Sequence, residues 1–167
     1  MKDEDIVAAI GKEKFVHPSY AQCEMNLHKE LIGAAIRIGL PLMGDLFTPA
    51  KSLEVRTYIP AIEYRLSGIL ISVEKSIVVG SNYTGEYSVC TESGHVVFVE
   101  KRLEYCGYVN SSVDSFLAFD ALFMEAESGG YKDLGWLVDR LTEIDPLAIS
   151  NDGIMWRDCL IEVRDGV

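Results

Sequence analysis

The spacing of apolar residues changes midway along this chain, and the change divides it. Three short segments rich in β-branched and aromatic residues come first: Ser76-Ile-Val-Val-Gly80, Glu86-Tyr-Ser-Val-Cys90 and His95-Val-Val-Phe-Val99. They are separated by Asn82-Tyr-Thr-Gly85 and Thr91-Glu-Ser-Gly94, loops of the length and composition that hairpins use, so the stretch predicts an antiparallel meander. Beyond it the spacing becomes helical. Over 112–127, Val113, Phe116, Leu117, Phe119, Phe123 and Met124 fall on one broad face, and Gly129-Gly130 ends the run. Ser111 as N-cap with Asp114 three residues later is the S-x-x-D variant of a capping box. Leu134, Leu137, Val138 and Leu141 make a second stripe, and Trp156, Cys159, Leu160 and Val163 a third, with Ile144-Asp-Pro146 and Asn151-Asp-Gly153 breaking the chain between them.

The first half is less regular. Asp3 to Ile10 predicts a short helix stopped at Gly11, and Lys12 to Cys23 shows no clean period. Leu27, Leu31, Ala34, Ala35 and Ile38 recur at helical spacing, followed by Gly39 and Pro41 as C′ glycine and stop. Leu46-Phe47 reads as a hydrophobic plug within a loop. Residues 68–74 read as extended, although helical spacing also partly fits them. With no repeat, low-complexity tract or linker, the pattern predicts one α+β domain over 1–167, an antiparallel sheet covered by helices.

Charge narrows the functional classes. The chain has 167 residues and a formal net charge of −11, which argues against a nucleic-acid binder that must neutralise phosphates with Lys and Arg. Residues 1–70 hold nine acids and eight bases, and residues 71–167 hold seventeen acids and seven bases. An acidic second half is suited to steering a basic partner, and it equally suits a solvated surface with none. The four cysteines, at 23, 90, 106 and 159, form no C-x-x-C pair and no framework, so Cys90 and Cys159 read as buried reduced thiols. The N-terminus is acidic with no secretory apolar region after it, and the longest apolar stretch, 31–43, is interrupted by Arg37 and Pro41. The expected setting is the cytoplasm, with no membrane segment. There the Asn-x-Ser/Thr triplets at Asn82 and Asn110 serve as turn and cap residues.

Candidate chemistry is sparse. His17, His28 and His95 share no ligand spacing with one another or with the cysteines. Gly80 and Gly85 have the outer spacing of a phosphate-binding loop without the Lys-Ser/Thr that would complete it, and no G-x-S-x-G elbow occurs. The reading predicts no catalytic residue, no cofactor and no metal. Asp120 breaks the pattern, because a carboxylate inside an apolar helical face must find donors or raise its pKa. It is a cap for a nearby loop's backbone N–H groups, a partner anchor or acid/base group, or a residue that the helix turns to a wet edge. Glu125 with Glu127, Asp133 with Asp139, and Glu143 with Asp145 lie on or beside consecutive helices, and they read as a partner surface rather than as paired catalytic carboxylates.

A resemblance enters on the central stretch. From Val78 to Phe119 the chain has a strand with a Gly turn, Thr91-x-Ser93-Gly94 before a β-branched strand, and Val109-Asn-Ser-Ser112 opening a helix that carries Phe116-Leu117. Gly39-Leu-Pro41 and Leu46-Phe47 before it, and Ile144-Asp-Pro146 and Trp156 after it, fall in the right order. These features resemble the SUKH superfamily of bacterial immunity proteins, most of all its SUKH-4 branch, over roughly 31–163. The shared motifs are structural and none is catalytic. The resemblance implies a SUKH-like α+β fold and a protein that binds and blocks a cognate toxin domain, often a nuclease or a nucleic-acid deaminase. A small-ligand or adaptor module of the same fold is the alternative, and an enzyme with an unfamiliar site is the third class.

Overall fold

A computed structural model of the chain describes residues 1–20, 29–43, 46–102, 105–127, 133–150 and 153–165. In chain order the elements are α1 (Asp3–Ile10), β1 (Phe15–Val16), β2 (Ser19–Tyr20), α2 (Gly33–Arg37), β3 (Leu40–Pro41), β4 (Thr48–Leu66), β5 (Ile69–Ser81), β6 (Gly85–Cys90), β7 (Val96–Glu100), β8 (Cys106–Asn110), α3 (Val113–Glu127), α4 (Leu134–Ile144) and α5 (Trp156–Asp165). The main sheet has the order β2-β4-β5-β6-β7-β8. Strands β4 to β8 run antiparallel, β2 lies parallel to β4, and β1 and β3 form a separate antiparallel pair. The architecture is α+β, as the sequence pattern predicts.

The meander appears where β-branched segments and Gly-closed loops place it. Asn82 Oδ1 accepts hydrogen bonds from Thr84 N, Thr84 Oγ1 and Gly85 N, each at 2.9 Å, so residues 82–84 are a hairpin loop held by its own side chain, with Gly80 and Gly85 in the strands that flank it. Strand β4 is far longer than the extended pieces that periodicity picks out. Its pairing with β5 shifts register between Pro49 and Glu54 and again between Thr57 and Ile62. Each irregularity disturbs the alternation of inward and outward residues, so no single period-2 pattern spans the strand. Ser67 and Gly68, both at positive φ (51° and 80°), form the two-residue turn into β5.

Strand β8 is a correction. Residues that read as the approach to a helix pair with β7 instead, Val97 with Tyr108 and Val99 with Cys106. The helix cap moves accordingly. Ser112 Oγ accepts from Ser115 N at 3.1 Å, so Ser112 caps α3 in place of Ser111. Asp114 turns outward to Arg37 (3.3 Å), which also pairs with Asp3 (2.8 Å), tying α1, α2 and α3 together at the surface. The early helix is shorter than expected, five residues over 33–37, and Leu27 lies outside the described residues.

Helix α3 is the centre of the core. Val113, Phe116, Leu117, Phe119 and Phe123 are all buried, and Met124 is half-buried. Phe47 is fully buried and meets Tyr87 and Phe116 edge-on at 5.3 and 5.1 Å, while its neighbour Leu46 is exposed, so half of the expected plug is a surface residue. Phe47 sits so close over β5 that a Cβ on Gly80 would lie 2.2 Å from its ring. Trp156 packs against Phe116, Phe119 and Phe123 at 5.2–5.6 Å, which makes it a core residue and brings α5 onto α3. Ile6 and Ile10 bury the inner face of α1 against α3.

Candidate functional site

The acidic surface is set out by α4. Leu137 and Leu141 are buried one turn apart, which puts Asp139 and Glu143 on the opposite, exposed face. Asp133 is the N-cap, its Oδ1 accepting from Trp136 N at 2.7 Å, and it remains exposed. Glu143 holds Arg140 at 2.6 Å, an exposed i, i+3 pair that neutralises the helix's one basic side chain. Glu127 is exposed at the end of α3, and Glu125 is half-buried. Glu127, Asp133, Asp139 and Glu143 therefore stand at the surface.

Asp145 does not join them, and its assignment to the partner surface is corrected. It is 3% exposed, and its carboxylate is fully engaged inside the protein. Oδ2 accepts from Ser111 N at 2.6 Å, from Tyr108 Oη at 3.0 Å and from Asn110 Nδ2 at 3.4 Å. Oδ1 accepts from Tyr108 Oη at 3.1 Å and from Ala148 N at 3.3 Å. Asn110 in turn accepts from Trp156 Nε1 at 2.7 Å. One carboxylate thus joins the end of β8, the entry to α3, the exit from α4 and, through Asn110, the start of α5. The sequence held a signal for this: Leu137, Leu141 and Asp145 follow at intervals of four, continuing the buried stripe. The proline after Asp145 also favours the extended backbone seen there (φ −155°, ψ 87°), which ends the helix.

Asp120 is as deeply buried, at 4% exposure, and it caps nothing among the described residues. Its Oδ2 has no hydrogen-bond partner there. Burial, reinforced by Glu127 and only partly offset by Lys14, pushes its carboxyl up to about 7. The cap expected of Asp120 is instead supplied by Asp145. Its side chain is buried in the free chain, away from the exposed carboxylates of α4.

His95 is half-buried, with Nδ1 2.5 Å from Tyr64 Oη, and its ring meets Tyr108 edge-on at 5.4 Å. Burial lowers its pKa. His17 is exposed, and His28 lies outside the described residues. Cys90, Cys106 and Cys159 are buried thiols outside any disulfide, and burial raises the Cys90 and Cys106 thiols to about 12, far from the thiolate form a nucleophile needs. Cys23 lies outside the described residues. Among the described residues no three His, Cys, Asp or Glu side chains gather as a metal site, and no helix is long and apolar enough to cross a membrane.

The fold is a single α+β architecture in which a meandering sheet packs against α3. The comparison with protein families is specific: the model of the SUKH-4 immunity proteins matches residues 38–162, and the chain belongs to that family. Searches of the curated proteins and of the solved structures returned no match.

Proposed function

We propose that this immunity protein neutralises a cognate toxin domain, a nuclease or a nucleic-acid deaminase, by laying its acidic face over the toxin's basic substrate groove. The observation that supports this most is the exposure of Glu127 at the end of α3 and of Asp133, Asp139 and Glu143 on α4. A domain that binds nucleic acid carries a cationic groove, and exposed carboxylates both compete for it and accelerate encounter. No chemistry on the inhibitor is needed for that role. The cytoplasm, where such a toxin meets nucleic acid, is the setting this mechanism requires.

The test is protection. Cells expressing the toxin domain encoded beside this chain should grow when the chain is co-expressed, and the two proteins should co-purify. The Asp139→Asn/Glu143→Gln variant should protect less at equal expression. Absence of both complex and protection would remove the reading.

A further inference from the structure

Strands β4 and β5 continue past the end of β6. The pairing of β5 with β6 runs from Ser76 to Ser81, so residues 57–66 and 69–75 form a two-stranded ribbon beyond it. Such a ribbon is marginally stable in water unless one of its faces is covered. Ile62, Tyr64 and Leu66 pair with Val73, Ile71 and Ile69, so these six side chains share a face. On that face Tyr64, Leu66 and Val73 are buried, while Glu63, Arg65, Leu70 and Ser72 on the other face are exposed. The ribbon is therefore folded against the body of the protein along its apolar face.

Where it meets the body, Tyr64 enters a cluster of three rings. Its ring stacks on Tyr108 of β8 at 6.4 Å, and the two meet His95 edge-on at 6.1 and 5.4 Å. His95 stands in the turn between β6 and β7, where its backbone is fixed: Cys90 N donates to His95 O at 2.9 Å, and His95 N donates to Ser93 Oγ at 3.2 Å. The Tyr108 hydroxyl is committed to Asp145. The Tyr64 hydroxyl lies 2.5 Å from His95 Nδ1. Burial raises the pKa of this phenol, so the hydroxyl keeps its proton and donates it, which assigns the ring proton of neutral His95 to Nε2.

We infer that the Tyr64–His95 bond is an acid-sensitive latch holding this ribbon against β8. A proton on Nδ1 takes away the acceptor of the Tyr64 hydroxyl and puts a positive charge into a cluster of half-buried and buried rings. Asp145, at the exit from α4, draws a proton towards His95, but burial outweighs it, and its oxygens are already taken by Tyr108, Asn110, Ser111 and Ala148. Cys90 at the end of β6 and Cys106 on β8 lie near the Tyr64 phenol, and burial keeps both as neutral thiols. Glu92 in the same turn, and Glu63 and Arg65 on the far face of the ribbon, are exposed to water. Opening the ribbon hydrates the His95 ring and returns it to its ordinary pKa. The closed form is thus fully favoured above pH 6.5 and loses ground as pH falls below it.

Hydrogen exchange followed by mass spectrometry at pH 8 and pH 5, with exchange times scaled for the intrinsic rate, tests the latch. With a pKa of about 6.5 in the open form, opening can rise by up to about 30-fold at pH 5. Peptides from residues 57–75 should exchange about 5- to 30-fold faster at pH 5, while those from β6 and β7 keep their rate. Asp120 titrates in the same range in the opposite sense, so it does not produce this rise. His95→Gln keeps an acceptor that does not titrate, and it should abolish the pH dependence of the ribbon. Tyr64→Phe removes the donor and should bring exchange at pH 8 close to the wild-type rate at pH 5. Ribbon exchange indifferent to pH, a pH dependence retained in His95→Gln, or equal acceleration across the whole sheet would overturn the latch. If His95→Gln does not fold, a wild-type rate for Tyr64→Phe at pH 8 would overturn it.

Discussion

Asp120 and Asp145 are two aspartates at nearly equal depth, 4% and 3% exposed, with opposite surroundings. Asp145 lies at a junction that supplies four donors: the Tyr108 hydroxyl and Asn110 amide of β8, and the backbone N–H groups of Ser111 and Ala148. Asp120 lies mid-helix on α3, where every backbone N–H nearby is committed to the helix ladder, and its Oδ2 finds no donor among the described residues. Burial alone does not decide whether a carboxylate holds a fold together. The supply of donors does, and donors are plentiful where elements end and scarce in the middle of a helix.

Breaking the better-satisfied site should have the largest effect. Asp145→Ala strips the acceptor from the Tyr108 hydroxyl and the Ser111 N–H, and it should cost about 3–5 kcal/mol in denaturant unfolding at pH 7. A loss under ~1 kcal/mol would show that the junction repacks or hydrates at little cost.

The opposite sign is expected at Asp120. Its pKa is raised from 3.8 to about 7 in the folded protein, so the folded state favours the protonated form. The stabilisation from that proton is complete below pH 3.8 and is lost as pH rises through about 7. Asp120→Asn should therefore stabilise the protein by up to ~4 kcal/mol at pH 8, falling to roughly 1–2 kcal/mol at pH 5. A variant no more stable than wild type at pH 8 would mean that Asp120 is better solvated or paired than its surroundings indicate.

His95 titrates in the other direction. Burial lowers its folded pKa below 6.5, so its contribution is present above pH 6.5 and is lost as pH falls through the folded value. A His95→Gln variant should lose that part of the acid sensitivity, and an unchanged profile between pH 7 and 5 would contradict it. The smallest stability effect belongs to the surface: Asp139→Asn with Glu143→Gln should change folding free energy by less than ~0.5 kcal/mol.

The contrast between the two aspartates also marks what periodicity reveals. The meander is legible because β-branched segments alternate with Gly-closed turns, and the three later helices because apolar residues recur in them at helical spacing. The long β4 is not, because register shifts on either side of 54–57 disturb its alternation. Strand β8 is missed because a five-residue strand running directly into Ser111-Ser112 is read as part of the helix start. At the candidate site, Asp120 stands out because it is polar among Phe116, Phe119 and Phe123. Asp145 is overlooked because it neighbours Glu143 in an acidic run, although the spacing from Leu141 places it inward. A charge cluster in sequence mixes solvated carboxylates with buried ones, and only the helical phase separates them. The Tyr64–His95 bond joins segments distant in sequence, and no local pattern marks it.

We propose that the exposed carboxylates of α3 and α4 act on encounter with the toxin domain, while the buried Asp145 serves the fold. The most direct test is binding kinetics of the wild-type chain and the Asp139→Asn/Glu143→Gln variant against the adjacent toxin domain at two salt concentrations. At low salt the screening length is ~30 Å at 0.01 M and shrinks to about 8 Å at 0.15 M, so association should slow as salt is added. The variant should associate severalfold more slowly than wild type at low salt and approach it at high salt, with little change in dissociation. Tight binding whose association rate is indifferent to both salt and these substitutions would contradict the claim.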